Sequence, residues 1–361
     1  MSKKLSIYLV VSFLIITVVF NSTQIVNSEE NEYKTIYVDD GGRVQFKNIQ
    51  DAINFADSGD TIYVHNGTYY ENIVLNKSIS LIGEDKNSTI INANFSGIVV
   101  NILFDRVNLS GFTIKNSGNG IKTAAIYIES DFNRIFNNKI ENNNECGIFL
   151  WGSNKNKIFK NFISDNKDDG IYLGKNSSYN RIYDNVILKN NFSGIYIGGS
   201  VNNTILDNAL ENNGWDGISL YSNSDNNNII RNNITNNSKI GIRLSQSSNN
   251  FIYQNNFINN TDNAYDEGNN AWYNESLKMG NYWDDYAATD DNGDGIGDST
   301  YNVPGGDNQD LYPIMSPYYK ESKGENQIDE EALFFMLLVG LILVTIFVLP
   351  IAYYWRKKHY K

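Results

Sequence analysis

A single cysteine, two histidines and four prolines stand in a chain of 361 residues, and each scarcity closes off some chemistry. Cys146 alone forms no intrachain disulfide, so no covalent staple holds the fold. A structural zinc centre wants about four Cys or His ligands in one place, and one Cys with two His excludes it. Charge is sparse as well. Only 19% of residues are charged, and 29 Lys+Arg against 41 Asp+Glu leave −12 at pH 7, which repels nucleic-acid phosphate and sets DNA and RNA readers aside. Low charge here does not mean disorder, because 41% of residues are hydrophobic and 13% aromatic, enough to bury a long core. Asparagine fills the gap at about one residue in six.

The two ends carry targeting signals. Residues 1–28 read as a secretory signal peptide, with Lys3 and Lys4 ahead of an uncharged apolar run and small polar residues before Glu29. Residues 332–355 are free of charge and, at about 1.5 Å per residue, reach roughly 35 Å, the length of a transmembrane helix. Acidic Asp329, Glu330 and Glu331 precede this span and Arg356, Lys357, Lys358 and Lys361 follow it. The positive-inside rule then puts tail 356–361 in the cytoplasm and everything before the span outside. Asn66, Asn76, Asn87, Asn94 and eight further asparagines begin Asn-x-Ser/Thr sequons, as an extracellular glycoprotein would.

The middle of the chain repeats. NRIFNNKIENN from Asn133, NKIFKNFISDN from Asn156, NRIYDNVILKN from Asn180, NTILDNALENN from Asn203, NNIIRNNITNN from Asn227 and NFIYQNNFINN from Asn250 follow one another at spacings of 23, 24, 23, 24 and 23. Between them lie GIFL at Gly147, GIYL at Gly170, GIYI at Gly194, GISL at Gly217 and GIRL at Gly241. Apolar residues alternate rather than recur at helical spacing, so each period predicts short strands with one face inward and builds one coil of a parallel β-helix. Asparagines one period apart, from Asn138 to Asn255 and from Asn143 to Asn260, then stack as side-chain ladders, each amide both donor and acceptor. Looser coils extend upstream to residue 61. A helix placing Phe46, Ile49, Ile53 and Ala56 on one face is expected to cap the open end.

The segment IQDAINFADSGDTIYVHNGTYYENIVLNKSISLIGEDKNSTII resembles the opening of right-handed parallel β-helix proteins of the pectin-lyase-like superfamily, and the coils over 125–260 are similar to PbH1 repeats. With GNYWDDYAATDDNGDGIGDSTYNVPGGDNQDLYPIM from Gly280, the pattern resembles NosD-like, CASH-type carbohydrate-binding surface proteins. The resemblance implies an all-β solenoid and leaves activity open, since this superfamily spans lyases, hydrolases, esterases, epimerases, copper-maturation proteins and adhesive binders. The QDTL and DFIFG motifs of pectin esterases and the GHG and RIK motifs of polygalacturonases do not occur. Copper delivery wants soft Met, Cys or His donors, and Met1 and Met336 lie in the terminal apolar segments, so few remain.

Outward positions carry the candidate chemistry. One column reads Phe136, Phe159, Tyr183 and another Tyr127, Phe149, Tyr172, Tyr196. Such rows are a platform for the apolar faces of sugar rings, or cross-coil stacks that stabilise the sheet. Tyr127, Phe149, Tyr172, Tyr196, Phe159 and Tyr183 are the candidate ligand-binding residues. Beside the first row run Asn137, Lys160, Asp184, Asp207, Arg231 and Gln254. Asp184 and Asp207 are a candidate acid/base pair or lyase-type calcium site, or rungs of a charge ladder. Asp168 and Asp169, with Glu145 and Asp216, form a second acidic cluster. Asp290, Asn292, Asp294, Ile296 and Asp298 fall at EF-hand-like positions and predict calcium, although position twelve is Tyr301 instead of Glu.

The expected organisation is signal peptide 1–28, N-terminal cap 29–60, β-helix 61–275, Asp/Gly-rich module 276–315, stalk 316–331, span 332–355 and tail 356–361. The expected role is a membrane-anchored extracellular protein that binds polysaccharide or cell-surface glycan without catalysis. The alternatives are a polysaccharide lyase or glycoside hydrolase using the acidic clusters and, third, a NosD-like copper maturation factor.

Overall fold

A computed structural model describes residues 33–318. The expected signal peptide, span, basic tail and most of the stalk lie outside the described residues, and no helix among those described is long and apolar enough to cross a membrane. The strands wind as a right-handed parallel β-solenoid of about 11 turns. Sheet I has ten strands from Thr35–Val38 to Phe251–Tyr253, sheet II ten from Gly67–Tyr69 to Tyr282–Trp283, and sheet III nine from Ile73–Leu75 to Asp262–Asp266. One coil visits them in the order I, II, III, as in Arg134–Phe136, Lys139–Glu141 and Cys146–Trp151. Residues one period apart pair directly: Ile135 with Ile158, Ile140 with Ile163, Ile148 with Ile171. These isoleucines are fully buried, and each contributes about 1.5–3 kcal/mol on leaving water. Sheet I already begins at Thr35, which pairs with Thr61.

The corners explain the asparagine. Sheets I and II are joined by two residues, the first in the left-handed region: Asn137, Lys160, Asp184, Asp207, Arg231 and Gln254 have φ between 53° and 58°. The other two corners repeat the device at Asn142, Asp165, Lys189, Asn212 and Asn236, and at Phe132, Lys155, Tyr179, Asn202 and Asn226. Each such residue costs about 1–2 kcal/mol, and the residue after it explains why the cost is tolerated. That residue is a buried Asn whose Oδ1 accepts the backbone N–H and Nδ2 of the Asn one coil earlier. Asn138 donates to Asn161 (3.0 and 3.3 Å), Asn161 to Asn185 (3.0 and 3.1 Å) and Asn185 to Asn208 (3.0 and 3.0 Å). Strand pairing cannot satisfy an N–H at a bend, so the side chain does. Besides the two expected ladders there is a third, Asn133 through Asn156, Asn180, Asn203 and Asn227 to Asn250. Beside it a serine ladder runs from Ser130 through Ser153, Ser177, Ser200 and Ser224 to Ser247.

The GIYL-type motifs need glycine for space. A Cβ at Gly170 would lie 2.5 Å from Ile187 Cγ2 and 2.6 Å from Gly194 O. Near the start of the solenoid a short helix, α1 (Ile49–Phe55), buries Ile49, Ala52 and Ile53. The Glu71 carboxylate accepts the N–H groups of Ile49 (2.8 Å) and Gln50 (2.9 Å) at its first turn. At the other end Trp272 and Trp283 pack on Phe257, and Tyr301 stacks on Trp283 at 4.0 Å. Two ladders terminate here on carboxylates. Asn281 donates its N–H to Asp310 Oδ2 (2.7 Å), which also accepts the Trp283 indole (2.9 Å), while Asp266 accepts Asn270 Nδ2 (2.7 Å) and the Trp272 indole (2.7 Å).

Candidate functional site

On the outer side of sheet III, Tyr127, Phe149, Tyr172 and Tyr196 occupy one register column. Coil repeat eclipses their rings, and the centroids stand 5.6, 4.5 and 4.9 Å apart with planes 8–19° from parallel. At the next coil the column holds Ser219, and Tyr221 continues the stack from two residues further on, 5.6 Å from Tyr196. The expectation of an exposed row needs correction. Tyr127, Phe149 and, on sheet I, Phe159 are buried, because ring faces at this spacing cover one another. Tyr172, Tyr196, Tyr183 and Tyr221 are half-buried and turn ring edges outward. Burial pushes the hydroxyls of Tyr127 and Tyr172 up to about 12 and raises those of Tyr196 and Tyr221. They therefore stay protonated donors at neutral pH.

Beneath this row a polar chain crosses several coils. The Cys146 thiol donates to Asp168 Oδ2 (3.3 Å), and Asp169 Oδ1 accepts the Ser193 N–H (2.8 Å). The Ser193 and Ser219 hydroxyls share a hydrogen bond (2.9 Å), Ser219 donates to Asp216 Oδ2 (2.9 Å), and Arg243 Nε donates to the same oxygen (2.8 Å). Ligand atoms of Cys146, Asp168 and Asp169 lie within 4.8 Å of one another. Burial, then the neighbouring Asp169 and Asp168 charges, raise the thiol well above its usual range; burial and Asp168 raise Asp169 likewise. Asp216 is fixed by Arg243 across sequence positions that are not one period apart, a pairing the repeat does not reveal.

On sheet I the rings of Phe136, Phe159 and Tyr183 stack at 5.0 and 4.9 Å. Asp184 and Asp207 sit beside them, but at the left-handed corner and not on a strand face. Arg231 grips Asp207 with two hydrogen bonds (Nε to Oδ1 2.8 Å, Nη2 to Oδ2 3.1 Å). That pairing fits the charge-ladder alternative and works against a shared proton.

In the C-terminal module the expected calcium loop is folded on its own backbone. Asp290 Oδ1 accepts the N–H groups of Gly293 and Asp294 (2.8 and 3.1 Å), and Oδ2 that of Gly295 (2.9 Å). Asp294 Oδ1 accepts Ile296 N–H (2.8 Å) and Asp298 Oδ2 accepts Asp291 N–H (2.8 Å).

Soft donors do not converge anywhere among the described residues. Cys146 stands with two hard carboxylates, His65 pairs with Glu84 (3.3 Å), and Met279 accepts a hydrogen bond from Gln254. This donor set does not fit copper, which prefers clustered thiolate, thioether or imidazole.

Comparison with known proteins agrees with the solenoid. Pectate lyase Pel9A is similar at 14% identity over 82% of this chain and 93% of that one, with a TM-score of 0.56. The surface adhesin PfbA of Streptococcus pneumoniae is similar at 16% identity over 61% of this chain and 69% of that one (TM-score 0.49). ORF18 of Geobacillus virus E2 is similar at 16% identity over 71% of this chain (TM-score 0.48), and the match spans 63% of the viral protein. At these identities the likeness is one of fold. A search of curated proteins finds no match. A family model described as periplasmic copper-binding protein (NosD) matches residues 11–193 and, in an overlapping second match, 125–288, and with most of its length covered the chain belongs to the NosD family.

Proposed function

We propose that this chain is an extracellular glycan- or surface-binding protein without catalytic activity, displayed outside the cell and anchored by the apolar span 332–355. The observation that carries the reading is the unbroken aromatic stack from Tyr127 to Tyr221, which runs along the coil axis as an extended polymer would. Its half-exposed tyrosine hydroxyls donate hydrogen bonds, and its ring edges supply apolar contact. The carboxylates that a hydrolase or lyase would use are already engaged: Asp207 and Asp216 are held by arginines, and Asp169 accepts the Ser193 backbone N–H. Copper, named in the family description, finds no set of converging soft donors among the described residues. The Asp290–Asp298 loop is read as a calcium site that stiffens the C-terminal module, supported by carbonyl- and carboxylate-rich spacing, and α1 as the cover of the first coil.

A polysaccharide panel tests the reading. Wild type is expected to bind at least one extended glycan, and Tyr172→Ala with Tyr196→Ala to weaken it about tenfold while the far-UV spectrum is kept. Release of new reducing ends or unsaturated sugars by wild type, abolished in Asp207→Asn, would promote the enzyme alternative.

A further inference from the structure

A chain of net charge −12 carries, on one face, a regular lattice of cations and rings. At the corner entering sheet I, one column reads Arg106, Phe132, Lys155, Tyr179 on successive coils, all left-handed with φ of 57–60°. Two positions further the register column is Asn108, Arg134, Lys157, Arg181, and two further Ser110, Phe136, Phe159, Tyr183. Lys160 follows at the next corner. Cations and rings interlock: Arg106 and Lys155 lie over Phe132 at 5.3 and 5.1 Å, Arg134 over Phe136 and Phe159 at 5.9 and 5.6 Å, and Arg181 over Tyr183 at 5.6 Å. Of these cations Arg106, Lys155, Lys160 and Arg181 are exposed. The neighbouring acids Asp105 and Asp131 spend a carboxylate oxygen on the backbone N–H of Asp131 (2.8 Å) and Asn154 (2.7 Å). Asp184 marks the edge of the patch, and beyond it the same columns turn neutral at Asn202, Thr204 and Leu206.

Resting on the glycan-binding reading, we infer that the sheet I face between Arg106 and Arg181 is the docking surface for an acidic polysaccharide, its carboxylates or sulfates meeting exposed cations spread over four coils that step about 4.8 Å each. Two physical points favour this occupant over others. A row of cations running along the coil axis fits a linear polymer. A moderate charge density tolerates the surrounding −12, whereas the dense phosphates of a nucleic acid are repelled by it.

The purified full-length chain would be titrated with polygalacturonate and with the same polymer fully methyl-esterified, which keeps the backbone and removes the charge. Wild type is expected to bind polygalacturonate, to lose about tenfold in affinity between low and physiological salt, and to bind the ester far more weakly. The triple variant Arg106→Gln, Lys155→Gln, Arg181→Gln should bind polygalacturonate about tenfold less tightly, whereas Lys47→Gln, Lys189→Gln, Lys278→Gln, with the same change of net charge, should not. An unchanged melting temperature in both triples, and recovery by Arg181→Lys in the first, separate lost contact from lost fold. Equal binding of polymer and ester, equal weakening by the two triples, or tighter binding to duplex DNA would overturn the inference while leaving glycan binding on sheet III standing. Absence of any polysaccharide binding would overturn both.

Discussion

Replacing Asn208 with Ala removes the centre of the ladder that joins sheets I and II. Its Oδ1 accepts the N–H and Nδ2 of Asn185 (both 3.0 Å), and its Nδ2 donates to Ile182 O (2.9 Å), Leu206 O (3.1 Å) and Asn232 Oδ1 (3.0 Å). Several of these partners keep another bond: Asn185 Nδ2 still reaches Ile158 O, and Asn232 Oδ1 still accepts the backbone N–H of residue 208. The Asn185 N–H keeps none of its side-chain partner, and a buried orphan costs about 1–3 kcal/mol. Adding about 1 kcal/mol for the remaining net losses gives roughly 2–4 kcal/mol. In a solenoid that cost is local, because each coil answers mainly to its neighbours. Hydrogen exchange should therefore speed up at residues around 185, 208 and 232 before the ends respond, and the urea midpoint should fall. The control is Asn212→Ala, an exposed left-handed corner residue, expected to lose only about 1 kcal/mol in backbone strain. A loss below about 1 kcal/mol for Asn208→Ala, or one no larger than that of the control, would refute the claim that the ladders carry the corners.

Asp310 gives a pH signature. Burial raises its carboxyl to about 6, so its contribution to stability is full below the unfolded value near 4 and is lost as pH rises through 6; Asp310→Asn should flatten a slope worth about 3 kcal/mol at most in wild-type urea midpoints between pH 4 and 7. Ile182→Asp, at a fully buried position, should unfold the central coils in a thermal melt, whereas Tyr183→Ser beside it should cost only about 1 kcal/mol of ring stacking; equal losses would sink the inside and outside assignment. Asp294→Ala should lower the melting temperature only with calcium present, and a wild-type melt indifferent to millimolar calcium would leave the loop as a turn alone.

The coil was legible because burial writes itself into alternation. Ile158, Ile182 and Ile205 recur at the period, and nothing but an inward column explains them. The corners were legible at one remove. Asn, Lys, Asp, Arg, Gln, Phe and Tyr all occupy the left-handed position, so composition there conceals the conformation, and only the Asn that follows betrays it. The third ladder went unread although its asparagines begin the aligned repeats from Asn133, because its hydrogen bonds run between residues one coil apart.

For the candidate site, alternation says that Tyr172 and Asp207 point outward and is silent on what stands outside with them. Stacking at under 5 Å shows which edges Tyr172 offers, and Arg231 on Asp207 is the contact that the charge-ladder alternative expects. Net charge concealed the opposite kind of fact. An average of −12 is compatible with Arg106, Arg134, Lys155, Lys157 and Arg181 sharing one face, because the coil gathers residues 23 to 24 apart into neighbours. What a solenoid presents to a partner is thus set column by column, and a sequence read along the chain samples each column only once per turn. Two faces follow from that geometry, a tyrosine edge on sheet III and a cation lattice on sheet I, and their different dependence on salt is the property by which a bound polymer would report which one it uses.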